Sequence, residues 1–202
     1  MVKDNNTLQY LVRKAIELGV SDAKIIPAKA VCVEERFARM CESPQCSNYG
    51  LSINCPPHVM KTDEFKKSLS QYDYALVFKI DAPTDMLLSE DRRVIARLVH
   101  EISATIEKLA IEAGCVNSKG LAAGSCKRIF CEEYVKCKVL EDGSQCLFPD
   151  LARPSMSGLG INFNELTKTL GWQFNKITGE TNPDDVPMGM LAGMVLIGGR
   201  EV

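Results

Sequence analysis

Apolar residues recur at three- and four-residue spacing in several stretches of the chain and as short continuous runs in others. Leu8, Leu11, Val12, Ala15 and Leu18 share one face of a helix predicted over 7–18, with Gly19 placed to end it. Thr62 reads as the cap of a second helix, with Asp63 and Glu64 in its first turn and Phe65 and Leu69 facing inward. Ser89, Glu90 and Asp91 open the longest predicted helix, which reaches about Ala113. Val94, Ile95, Leu98, Val99, Ile102, Ile106 and Leu109 form its inward face, and Gly114 stops it. Asn162 and Glu165 have capping-box spacing for a helix ending near Gly171. Between these lie the runs Tyr74–Ile80 and Met190–Ile197, apolar enough to be strands buried on both faces. Lys24–Pro27 reads as a short strand confined to a sheet edge by its proline. The expected fold class is α/β or α+β, a small sheet flanked by helices. It is read as one domain over 1–202, with cysteine-rich loop modules at 32–57 and 120–160. An open edge on the last strand would let a second copy extend the sheet, which is the basis for expecting a homo-oligomer.

The chain has 202 residues, 24 basic against 26 acidic, for a net charge of −2. Without a basic excess to neutralise phosphates, nucleic acid is not an expected partner. No apolar run approaches the roughly 18 residues needed to cross a bilayer, so no membrane is expected either. Met1–Asn6 leads into an amphipathic pattern rather than a secretory apolar core, and a cytoplasmic location follows as the expectation.

Nine cysteines change the picture. In a reducing compartment, grouped cysteines bind metal or do redox work more often than they form structural disulfides. Eight of them fall into two quartets. Cys32, Cys41, Cys46 and Cys55 are separated by eight, four and eight residues; Cys126, Cys131, Cys137 and Cys146 by four, five and eight. Both quartets lie in Gly- and Pro-bearing sequence that can curl round a metal centre. Four converging thiolates repel one another unless a cation holds them. Zinc knuckles place paired cysteines two to four residues apart, and neither quartet contains a Cys-x2-Cys. The wide gaps suit a bulkier cubane better than one ion, although the run typical of bacterial ferredoxins is missing too. Spacing alone therefore leaves iron–sulfur, zinc and unligated thiols open.

The string Cys41-x4-Cys46-x2-Tyr49-Gly50-x4-Cys55-Pro56-Pro57 resembles the first signature of a family described as predicted metal-binding proteins, found largely in anaerobic prokaryotes. Gly124-Ser125-Cys126, the cysteines that follow, and Ala152-Arg153-Pro154-Ser155-Met156 resemble its second signature, and Gly171-Trp172 and Pro187 agree. The resemblance covers nearly the whole chain. It implies metal held by all eight cysteines, with two [4Fe–4S] clusters expected and zinc as the alternative. Fully thiolate-bound clusters carry single electrons, so the implied role is electron transfer with a redox partner protein rather than stand-alone catalysis. A zinc-stapled interaction protein and an iron–sulfur enzyme with a small-molecule substrate are the alternatives.

Other candidate chemistry is thinner. Lys127, Arg128, Lys136 and Lys138 flank second-quartet cysteines and would raise a cluster's potential if their charges faced it. Cys115 follows the helix stop and reads as a buried inert thiol. His58 reads as a surface histidine. His100-Glu101 lacks the second histidine of a zincin, because Ala104 stands in its place. Arg153 is expected to pin its loop or to hold an anion.

Overall fold

The computed structural model describes residues 5–44 and 46–200; Met1–Asp4, part of the N-terminal segment read above, lies outside them. The elements in chain order are α1 (Asn5–Glu17), β1 (Asp22–Pro27), α2 (Glu35–Arg39), α3 (Thr62–Ser68), β2 (Tyr74–Pro83), α4 (Thr84–Leu88) and α5 (Arg92–Glu112). They continue with β3 (Cys115–Leu121), α6 (Cys126–Phe130), α7 (Lys138–Asp142), α8 (Phe163–Leu170) and β4 (Met188–Arg200). The strands form one antiparallel sheet in the order β1-β2-β4-β3. The architecture is α+β.

Both faces of the sheet are covered, which is why its central strands are almost wholly apolar. Leu76, Phe78, Val195 and Ile197 face one way, into a core completed by Leu11 and Ala15 of α1 and Val99, Ile102 and Ile106 of α5. Ala75, Val77, Met194 and Leu196 face the other way. There they meet Phe65 of α3, Leu166 and Leu170 of α8, and Met156, Leu159 and Ile161 from the chain leading into α8. The helix α5 comes very close to β4. A Cβ on Gly193 would lie 2.3 Å from Phe78 Cζ and 2.7 Å from Ser103 Oγ, so this position requires glycine.

Several expectations are met in detail. Gly19, Gly114 and Gly171 all adopt positive φ at helix ends. Asn162 caps α8, its side chain accepting from Glu165 N–H at 3.1 Å. β1 is an edge strand, and Trp172 Nε1–H donates to its Asp22 at 2.7 Å.

Other expectations are corrected. β4 is a central strand with partners on both sides, so it offers no open edge along its pairing with β2 and β3. The strand β3 was not anticipated, because Val116-Asn117-Ser118-Lys119 has no apolar run; pairing to β4 makes it a strand. Val94 is 61% exposed, one position off the buried stripe that runs through Ala96, Val99, Ile102, Ile106 and Ala110. Lys61, not Thr62, is the residue before α3. Short helices α2, α6 and α7 interrupt stretches read as irregular. Each is five residues long, too short for an apolar period to register.

Candidate metal centre

The first cysteine loop joins α2 to α3 and is built from successive tight turns. Cys46 N–H donates to Cys41 O at 2.9 Å, Tyr49 N–H to Cys46 O at 2.9 Å, and Cys55 N–H to Ser52 O at 3.1 Å. Gly50, at φ +75°, lets the chain return so that its N–H reaches Pro56 O at 2.8 Å. The second loop follows β3. Cys126 opens α6, Cys131 follows its end, and Cys137 is the residue before α7. Gly143 then ends α7 in the left-handed region, ahead of Cys146.

These loops, with 70 residues between them in sequence, interlock. Ser52 Oγ and Cys126 Sγ share a hydrogen bond of 3.0 Å, and Asn54 Nδ2 donates to the same sulfur at 3.5 Å. In return Ser125, whose buried hydroxyl makes no hydrogen bond among the described residues, lies close enough to Cys55 to oppose part of the upward push that burial gives its thiol. Ser155 N–H donates to Asn54 O at 3.0 Å, and a Cβ on Gly158 would stand 2.7 Å from Pro56 Cδ. The segment holding Pro154-Ser155-Met156 therefore packs directly on the segment holding Cys55-Pro56-Pro57.

Burial pushes the Cys55 thiol up to about 11, and the nearby Cys126, Cys41 and Cys46 add to it. Cys126 and Cys131 are also raised, first by burial and then by Cys137 and Cys146; for Cys126, Ser52 and Asn54 partly oppose the rise. Cys41 is raised by burial and by Cys46. Two mutually acting sets result, Cys41, Cys46 and Cys55, and Cys126, Cys131, Cys137 and Cys146, and Cys126 also bears on Cys55. Cys32 stands apart. Its thiol donates to Glu34 at 3.6 Å, and the charges bearing on it are Glu34, Glu165 and Lys66. Glu34 is itself held by Asn162 Nδ2 at 2.5 Å.

The remaining candidates fall into structural roles. The buried Lys127 ammonium donates to Cys131 O at 2.7 Å and Tyr134 O at 2.5 Å, tying the α6–α7 turn together. Lys138 is paired with Glu141 and Asp142 of α7. Arg153 pairs with Glu107 of α5 and donates to Pro149 O and Ala152 O, so it pins its loop. The fully buried His100 accepts from Arg153 N–H through Nδ1 at 3.1 Å and meets Phe130 edge-on, while Phe130 stacks on Phe148. Cys115 is fully buried at the end of β3 remote from the second loop. His58 is exposed.

Ser52, Asn54 and Ser125 were not singled out from the sequence. Each lies within three residues of a cysteine, but each acts on a sulfur of the other loop, which no local spacing reveals.

Among the described residues, no three His, Cys, Asp or Glu side chains are gathered as the ligand set of one metal ion. The Ser52 hydroxyl and the Asn54 amide are directed at the Cys126 sulfur. Thiols with hydrogen bonds made to their sulfur are donor chemistry that a thiolate-bound metal takes.

The fold and these loops define an α+β protein whose two cysteine-bearing loops interlock. The chain belongs to the family described as Predicted metal-binding protein (DUF2284), whose model matches residues 24–197. No curated protein and no solved structure matches the chain. Predicted metal binding is thus the property the chain shares with its family. Among the described residues, no helix is long and apolar enough to cross a membrane.

Proposed function

We propose that the two loops hold iron–sulfur clusters of the [4Fe–4S] type and that the protein exchanges single electrons with a redox partner protein. Cys126, Cys131, Cys137 and Cys146 hold one centre. Cys41, Cys46 and Cys55 hold the other, while Cys32, tied to Glu34, contributes least. The observation that carries this reading is the reciprocal contact of the loops, each placing a hydroxyl beside the other's cysteine. When bound, such clusters supply one-electron chemistry at potentials set by hydrogen bonds to sulfur and by burial. The residues present provide both: hydrogen bonds from Ser52 and Asn54 at Cys126, and burial of Cys55 and Cys126.

Anaerobically purified protein is expected to be brown, bleached by dithionite, and to contain iron and sulfide at about eight each per chain. Colourless protein with stoichiometric zinc overturns the proposal. Cys46→Ser and Cys137→Ser each remove about half of the iron, whereas Cys32→Ser retains most of it. Ser52→Ala removes a hydrogen bond to Cys126 sulfur and makes the second-loop centre harder to reduce, read by a redox titration followed by EPR.

A further inference from the structure

Two cavities adjoin beside the first cysteine loop. One, of about 460 Å3, is lined by Cys41, Cys46 and Cys55. The other, of about 470 Å3, is walled by Phe163, Phe174, Ile177, Met156 and Met190. Leu87, Leu88, Arg92, Gly124 and Ser157 line both, so the two are lobes of one cleft, a thiol lobe and an apolar lobe. Each lobe has the volume of an ordinary small-molecule site.

The charges round this cleft are unequally satisfied. Arg93 is taken up by Glu90 and Glu132, and Arg97 by Glu101. Arg92, at the junction of the lobes, Arg128, in the thiol lobe, and Lys176, at the apolar lobe, make no side-chain ion pair or hydrogen bond among the described residues. The one carboxylate lining the cleft, Glu90, is already bound to Arg93 at 2.5 Å. An apolar chamber opening onto unpaired guanidinium groups is suited to an amphipathic anion, because arginine accepts a carboxylate through two parallel hydrogen bonds.

We infer that the cleft binds a small organic carboxylate, its apolar or aromatic body between Phe163, Phe174 and Ile177 and its acid group on Arg92. The binding surface stands on the cavity and its arginines; its relevance to electron transfer rests on the proposal that Cys41, Cys46 and Cys55 hold a cluster.

The test is ligand-observed NMR on the protein as purified, using matched pairs of apolar carboxylic acids and their primary amides, with metal content recorded for each sample. Acids are expected to bind at least about tenfold more tightly than their amides, the effect of one charge-assisted pair. Arg92→Ala removes that preference with iron content unchanged, and Arg92→Lys restores part of it. Phe174→Ala weakens acid and amide alike. Equal binding of acids and amides, no binding by any pair, or a preference that survives Arg92→Ala overturns the inference. Colourless protein that still prefers acids overturns only the iron–sulfur reading.

Discussion

His100 shows how one side chain couples the second loop to the fold. Burial first, and then the neighbouring Arg153 charge, push its pKa from the usual 6.5 down to about 4. The folded protein therefore binds fewer protons than the unfolded chain between these values. Its contribution to stability is present above about pH 6.5 and is lost as pH falls toward 4, a change on the order of 3 kcal/mol. Urea unfolding near pH 7 and at about pH 4.5 should show that loss, and His100→Gln should flatten it relative to wild type in the same metal state. Gly193 is a second residue whose identity is dictated by what lies above it. Gly193→Ala places a methyl group against Phe78 and Ser103 and is expected to cost about 1–3 kcal/mol, read as a lower denaturant midpoint at unchanged slope.

Among the elements, α8 ties local sequence most directly to the site. Asn162 ends the chain that comes from the second loop, caps the helix, and reaches Glu34, the partner of Cys32. Asn162→Ala is expected to destabilise the protein by about 1 kcal/mol through the lost cap. It also frees Glu34, so Cys32 should react faster with a thiol reagent, as mass spectrometry of labelled peptides can show. That helix was legible because capping is a short-range pattern. The same holds for β2 and β4, whose unbroken apolar runs report burial on two faces. The strand β3 was not legible, because its polar residues become a strand only through pairing with β4. Nor could the position of β4 inside the sheet be read, since strand order is set by contacts far apart in sequence.

For the whole molecule, the loops are held together by side-chain and backbone contacts across the interface between them, against thiols that repel once ionised. Bound metal would reverse that repulsion and add its binding free energy to folding. Metal-loaded protein should therefore melt higher than chelator-treated protein. Limited proteolysis should cut the treated form first within the two cysteine loops, leaving the sheet and α5 intact longer; equal resistance of both forms would mean the metal does not hold the loops. The sequence alone determined the helix stops, the buried strands, the two cysteine-rich segments and the family. These are carried by neighbours a few residues apart, where backbone preference and periodic burial act. Tertiary structure decided which loop residues act on the Cys126 sulfur, set Cys32 on Glu34, and placed Arg92 between two cavities. Those facts follow from sheet order and from loops packed on one another, distances that no spacing of residues along the chain encodes.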